Sequence, residues 1–172
     1  GAQSQNVTEV SDNQVTITIE GASTPTYDGT LNLDGNTNDS LTLANAVDVS
    51  SANFTSVTDG SVNTALLNAT VTMTDDQHGT LIESANSVTA SGTAEVILSN
   101  TTGDTLLADD NVETYTLANG GTNSITLADT GQTVNGGNQV DTITGGAAAD
   151  IITGGDGSDD IALGASDGAE DD

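Results

Sequence analysis

This chain of 172 residues contains no lysine, no arginine, no cysteine and no tryptophan, and it contains a single proline. Without positive side chains it cannot neutralise phosphates, so nucleic acid is excluded as an electrostatic partner and an anionic membrane surface is disfavoured. The absence of cysteine excludes a disulfide framework and leaves the redox compartment undetermined. No apolar run approaches the length of a membrane span, so the sequence predicts no membrane insertion.

Large apolar side chains are also scarce. Leu, Ile, Val and Phe make up about a fifth of the residues, and the aromatic residues are Tyr27, Phe54 and Tyr115. Every charged side chain is acidic, which gives a formal net charge of −26. This composition is close to that of disordered chains. We therefore expect the protein to fold poorly without a ligand of opposite charge.

The sequence offers little for catalysis. His78 is the only histidine, and neither a His-Glu-x-x-His zinc motif nor a Gly-x-Ser-x-Gly nucleophile elbow is present. A polysaccharide lyase needs a cationic group against its acidic sugar, and a glycosidase usually needs aromatic residues that stack on the sugar ring. We predict that the protein is not an enzyme, and we interpret His78 as a solvated residue in a polar turn over 75–79.

Three consecutive nine-residue units occupy residues 136–162, and they read GGNQVDTIT, GGAAADIIT and GGDGSDDIA. Each unit begins with a glycine pair, has Asp at its sixth position and has Ile at its eighth. A fixed period of this kind indicates a solenoid. The glycine-rich half turns the chain, and the other half forms a short strand. Two units form one coil, so adjacent units lie on opposite sides and units two apart stack on the same side.

The stacked aspartates create an electrostatic problem. Asp141 is expected to lie about 5 Å from Asp159 at strand spacing. Two carboxylates at that distance repel by about 3 kcal/mol at an effective dielectric constant of about 20. We expect that nothing in the chain can compensate this repulsion, since it contains no lysine and no arginine, whereas a divalent cation between the two turns would convert repulsion into attraction. Carboxylates and turn carbonyls are hard oxygen ligands, which suit Ca²⁺ better than Zn²⁺ or Mg²⁺.

The unit 154–162 resembles the GGxGxDxUx nonapeptide of the repeats-in-toxin (RTX) family at every fixed position. The other two units depart from it at the fourth position, where Gln139 and Ala148 replace glycine. The resemblance implies a calcium-loaded parallel β-roll. The implied ligands are the sixth-position side chains and the carbonyls of the glycine-rich turns. Carried onto this chain, they are Asp141, Asp150 and Asp159, with main-chain oxygens around Gly136, Gly145, Gly154, Gly155, Asp156 and Gly157. Asp167 is a candidate to complete a site with Asp150.

Upstream of these units the chain also predicts strands. Alternating apolar residues occur at 15–19, 30–33, 40–43 and 70–74. A nine-residue spacing joins Ile125 and Val134 to the later isoleucines, and we place 115–117 on the same grid. Asn123 and Gln132 occupy the sixth positions of the earlier units, whose coils we expect to stack without metal or with weaker sites.

The predicted fold class is all-β, a right-handed parallel β-helix or β-roll solenoid. Residues 1–108 form a segment with irregular repeats, and residues 109–172 form a nonapeptide β-roll. The alternative is an N-terminal β-sandwich followed by a C-terminal β-roll. The solenoid and the β-sandwich alternatives differ most in what they predict for the irregular stretch 44–69.

Three segments and the Thr- and Asn-rich composition around them resemble RTX-type bacterial surface-layer proteins. The segments are 40–45, 111–117 and 123–127. The resemblance implies export by a type I secretion system to the cell surface and self-assembly that depends on Ca²⁺. We predict a secreted structural protein that builds a surface layer or extracellular matrix, with copies of itself and a cell-surface polysaccharide as partners. The alternative is an RTX adhesin segment that binds a glycan or surface through a β-sandwich. We expect the chain to be a segment of a longer protein or a processed product.

Overall fold

The computed structural model describes residues 7–8, 16–19, 26–27, 29–32, 39–43, 46–55, 62–67, 70–83, 88–90, 94–99, 103 and 105–164. The chain divides into two compact units, residues 1–94 and 95–172. In each unit the described strands pair in parallel, as in a β-helix or β-roll, and the predicted solenoid fold is confirmed. The predicted domain boundary between residues 108 and 109 stays a prediction. No helix in the described ranges is long and apolar enough to cross a membrane.

The first unit places three strands in each coil. Three sheets run along it, with orders β1-β3-β6, β2-β4-β7-β9 and β5-β8. Val47 pairs with Val71, so one coil contains 24 residues at this point. The strands are β1 (Val7–Thr8), β2 (Thr16–Ile19), β3 (Thr30–Asn32), β4 (Asp39–Leu43), β5 (Val47–Asp48), β6 (Asn53–Thr55), β7 (Val62–Leu67), β8 (Thr70–Met73) and β9 (Val88–Ala90).

The alternative of an N-terminal β-sandwich is wrong for the described residues, because every strand pair among them in the first unit is parallel. Alternation of apolar and polar residues buries one face in either arrangement, so it does not determine strand direction. The stretch 44–69 looked irregular because β5, β6 and β7 belong to three different sheets of the same coil. The corners between sheets differ in length, and this removes any short period from the sequence.

Residues 75–79, which were predicted to form a polar turn, instead form a helical segment whose Gln77 and His78 side chains are buried. Helix α1 (Asp75–His78) begins after the N-cap Thr74 and continues into a π-helical turn (Gly79–Glu83). The Thr74 hydroxyl accepts the Gln77 N–H at 3.3 Å, and Gln77 Oε1 accepts the Thr74 N–H at 2.9 Å. This capping box turns His78 into the interior, where it is fully buried with Nδ1 3.1 Å from Glu83 Oε1. The interpretation of His78 as a solvated residue was therefore wrong.

The second unit places two strands in each coil. One sheet has the order β10-β12-β14-β16, and the other has the order β11-β13-β15-β17. The strands are β10 (Glu95–Leu98), β11 (Thr105–Leu107), β12 (Thr114–Thr116), β13 (Ser124–Thr126), β14 (Thr133–Asn135), β15 (Thr142–Thr144), β16 (Ile151–Thr153) and β17 (Asp160–Ala162). The prediction that adjacent nonapeptides alternate between two sides is confirmed, because Ile125, Ile143 and Ile161 stack in one sheet.

The nine-residue grid begins later than predicted. Tyr115, and not Thr116, is the buried residue of β12, and it pairs with Val134 nineteen residues further on. Coils of 18 residues begin only with the pairing of Ile125 and Ile143. The additional residue lies between β12 and β13, because the buried residues Tyr115 and Ile125 are ten positions apart, whereas Leu106 and Tyr115 are nine apart. Before β12, residues 109–112 form a β-turn in which the Val112 N–H donates to Asp109 O, and the Asp109 N–H donates to the Tyr115 hydroxyl. The placement of 115–117 on the grid was therefore off by one residue.

The core of the second unit narrows toward its last coil: Tyr115 and Leu117 are both buried, and so are Ile125 and Leu127, whereas β15 buries only Ile143. Ile143 is fully buried, whereas its stacking partner Ile161 is 42% exposed. We expect Ile143→Val to lower the free energy of unfolding by about 1 kcal/mol. The control Ile161→Val should have a clearly smaller effect. Urea denaturation followed by circular dichroism measures both, and equal losses would contradict the burial seen at these two positions.

Candidate metal centre

The sixth-position side chains of the nonapeptides form a ladder inside the turns of the second unit. Asp141 is fully buried. Its Oδ1 accepts the Asn123 N–H at 3.1 Å and the Asn123 side-chain amide at 2.7 Å. Its Oδ2 accepts the Gly137 N–H at 2.7 Å. One carboxylate therefore receives three hydrogen bonds from two successive coils, without any positive side chain.

The same two contacts recur at Asp150. Its Oδ1 accepts the Gln132 N–H and its Oδ2 accepts the Gly146 N–H, both at 2.9 Å. Asp159 keeps only the first contact, in which its Oδ1 accepts the Asp141 N–H at 3.0 Å. Each carboxylate thus bonds to the sixth-position N–H eighteen residues earlier, which confirms that the sixth positions stack.

These contacts correct the electrostatic argument made from the sequence. The expectation that nothing in the chain could compensate the stacked carboxylates was wrong, because main-chain N–H groups do so. A hydrogen bond from N–H to an ionised carboxylate is stronger than one between neutral groups. A carboxylate has about four acceptor positions, and Asp141 uses three of them. Asp141 consequently has little capacity left for a cation in this arrangement.

Amide side chains occupy the ladder in the earlier coils. Asn123 Nδ2 donates to Ala118 O at 3.0 Å. Gln132 Nε2 donates to Asp109 O at 3.0 Å and to Val112 O at 2.6 Å, while its Oε1 accepts the Ala128 N–H at 2.8 Å. In these coils, amide side chains at the sixth positions make the hydrogen bonds. The later coils carry carboxylates at the same positions.

Gln77 makes the equivalent contacts in the first unit, and the sequence analysis missed it. Its Nε2 donates to Val49 O at 2.8 Å and to Ala52 O at 3.1 Å, at the two ends of a β-turn one coil earlier. The spacing Thr-x-x-Gln at 74–77 is the signal that could have identified it, because it predicts a capping box.

The turn of the unit 154–162 differs from the other two. Gly155 and Gly157 have φ of 94° and 131°, a region open mainly to glycine. Gln139 and Ala148 replace the second of these glycines in the other two units. No described residue donates a hydrogen bond to Asp159 Oδ2, in contrast to Asp141 Oδ2 and Asp150 Oδ2. The unit that matches the nonapeptide completely is therefore the one whose carboxylate has an oxygen available.

Main-chain oxygens of the preceding coil lie against this turn. A β-carbon at Gly154 would overlap Asp159 Oδ2, and one at Gly155 would overlap Gly137 O. A β-carbon at Gly157 would lie 2.6 Å from Gln139 O and 3.1 Å from Asp159 Oδ1. Glycine at these positions lets oxygen atoms approach closely, as a site for a hard cation requires.

The remaining predicted ligands have different surroundings. A β-carbon at Gly136 would overlap Gly154 O and lie 2.9 Å from Asp141 Oδ2, and one at Gly145 would lie 3.3 Å from Asp150 Oδ2. The Asp156 side chain is exposed, and its N–H donates to Gly137 O at 3.1 Å. Asp167 lies outside the described residues. The full ligand set stays a prediction.

The chemistry of the donors fits a calcium ion better than a transition metal. Across the residues that the structure describes, no three His, Cys, Asp or Glu side chains come together as a metal-binding group. Any site in these turns would therefore combine one or two carboxylates with carbonyl oxygens, which are ligands for Ca²⁺. The Asp159 turn fits this description best, because Asp141 and Asp150 already accept hydrogen bonds at both oxygens.

Comparisons with known proteins do not add to this interpretation. No protein-family model matches the chain, and neither a curated protein nor a solved structure is significantly similar to it.

Proposed function

We propose that this protein is a calcium-binding structural solenoid, secreted to the bacterial cell surface, where it assembles with copies of itself into a surface layer or matrix. One observation carries the proposal. In a chain without positive side chains, the Asp159 carboxylate has an available oxygen beside its own glycine turn, against which main-chain oxygens of the preceding coil lie. A divalent cation is the simplest ligand for such a site.

Asp159 and the main-chain oxygens around 136–139 and 154–157 are the residues that would hold the ion. Bound there, Ca²⁺ would supply two positive charges and connect adjacent coils. Binding to the folded state alone stabilises that state, so metal affinity and folding would be coupled. Asp141 and Asp150 are further proposed ligands, but each would have to exchange a hydrogen bond for the metal.

The outer surface of the second unit supports an assembly role. The side chains of Asp110, Asp129, Asp156 and Asp160 are exposed, and no basic residue lies among them. Two such surfaces repel each other unless cations lie between them, so we propose that Ca²⁺ also connects neighbouring molecules. An extracellular location would provide the ion, and a cell-surface polysaccharide is a second proposed partner. We propose no catalytic activity, since the one histidine lies buried against Glu83.

Calorimetric titration with Ca²⁺ tests the binding site. We expect Asp159→Asn to weaken the binding measured for the intact chain by about tenfold or more, because the site loses a charged ligand. Asp160→Asn is the matched control, since it removes an equal charge at the next residue, which is exposed. The site assignment is wrong if both variants bind Ca²⁺ equally well.

Electron microscopy of the purified protein tests the assembly role separately. We expect ordered sheets or fibres after Ca²⁺ is added, and their loss after chelation. Monomers that persist with Ca²⁺ bound would contradict the assembly proposal without affecting the binding site.

A further inference from the structure

The chain contains two Asn-Gly-Gly sequences, at 119–121 and at 135–137. An asparagine followed by glycine is prone to deamidation, because glycine has no side chain to obstruct attack by its own nitrogen on the asparagine amide. The two local sequences are equivalent in this respect, but their structures differ. We propose that Asn119 is a site of spontaneous deamidation in the folded protein and that Asn135 is protected.

Asn119 lies in an exposed bend between β12 and β13. Its side chain is exposed, and Gly121, two residues later, has φ of 78°. Among the described residues, the Gly120 N–H has no acceptor and the Asn119 side chain has no hydrogen-bond partner. The nucleophile and the electrophile of the reaction are therefore both accessible.

Asn135 lies in β14, within a sheet. It pairs with Thr116 on one side and with Thr153 on the other. Its carbonyl accepts the Leu117 N–H at 2.9 Å, and the Gly136 N–H donates to Thr153 O at 2.7 Å. The Gly136 nitrogen, which would have to attack the Asn135 side chain, is thus engaged in a hydrogen bond to the neighbouring strand. Reaction here requires the strand to open first.

The chemical step balances with water alone. The Gly120 nitrogen loses its proton to solvent and attacks Asn119 Cγ, and the side-chain nitrogen leaves as ammonia. Water then opens the resulting cyclic imide at either carbonyl, giving aspartate or isoaspartate. Each event adds one negative charge to a chain whose net charge is already −26.

The product would affect the neighbouring coil. Ala118 O accepts the Asn123 side-chain amide at 3.0 Å, and it lies where a β-carbon of Gly137 would be. Isoaspartate inserts an additional backbone carbon at the residue after Ala118, so the backbone lengthens directly beside this contact. We infer that the modified molecules are less stable than the unmodified ones.

Peptide mapping by mass spectrometry tests the proposal on the full chain, incubated in warm, mildly alkaline buffer containing Ca²⁺. Cleavage before aspartate separates the two sites into peptides 110–128 and 129–140, whereas trypsin has no target in this chain. We expect deamidation to be at least about tenfold faster at Asn119 than at Asn135, as opening of a paired strand limits the second. In guanidinium chloride the two rates should become similar, because both sites have the same two following residues.

Three results would overturn the inference: similar rates in the folded protein, faster reaction at Asn135, or a rate ratio unchanged by denaturant. The variant Asn119→Gln should abolish the early mass change in peptide 110–128 and leave peptide 129–140 unaffected.

Discussion

Chelation of Ca²⁺ with EGTA is expected to unfold the described coils of the second unit. This unit is small, and its apolar core narrows toward the last coil, so its hydrophobic stabilisation is limited to a few kcal/mol. An ion present at about a hundred times its dissociation constant contributes about 2.7 kcal/mol per site. Its removal would also leave Asp159, whose Oδ2 accepts no hydrogen bond from a described residue, without a partner of opposite charge. Circular dichroism should therefore change from a β-sheet spectrum to that of a disordered chain.

Addition of excess Ca²⁺ should restore the β-sheet spectrum, whereas Mg²⁺ should do so poorly because it demands regular octahedral coordination. A high concentration of monovalent salt is the control for general screening, and it should recover only part of the signal. A spectrum and a denaturation midpoint that do not change on chelation would contradict the proposed role of calcium in folding.

Replacement of Asp141 by alanine is expected to destabilise this unit strongly. It would remove the acceptor of the Asn123 N–H, the Asn123 side-chain amide and the Gly137 N–H in a fully buried position. Each buried donor left without a partner costs about 1–3 kcal/mol. The expected loss of unfolding free energy is about 4 kcal/mol, measured by urea denaturation at constant Ca²⁺.

Two further variants separate the hydrogen-bond role from a general effect of charge. Asp160→Ala removes one exposed carboxylate from the neighbouring coil and should change stability little. Asp141→Asn keeps one oxygen acceptor but directs an NH₂ group toward existing donors, so we expect an intermediate loss. If Asp141→Ala were no more destabilising than Asp160→Ala, the buried ladder would not be a source of stability.

The sequence by itself determined the repeating plan of the second unit. A nine-residue period with one branched apolar residue per unit predicts short strands on alternate sides of a coil. The stacking of Ile125, Ile143 and Ile161 in one sheet and of Val134 and Ile152 in the other follows from it. The stacking of Asp141 on Asp159 follows from the same period, because side chains at equivalent positions in successive coils must lie in register.

The coil of three strands in residues 1–94 could not be derived in this way. Its corners vary in length, so the repeat of 23 or 24 residues leaves no short period, and alternation within a strand does not reveal the partner strand. The position of Tyr115 was missed for a similar reason, since one additional residue in a turn shifts the register without changing the local pattern.

Only the tertiary structure decided how the buried carboxylates are stabilised. The N–H groups that reach Asp141 and Asp150 come from the second-position glycine and from a residue eighteen positions earlier. Main-chain donors are invisible to a reading of side-chain charges, because every residue type carries them and only the fold determines where they point. The same reason explains why the two Asn-Gly-Gly sequences look equivalent in the sequence and differ in the folded chain.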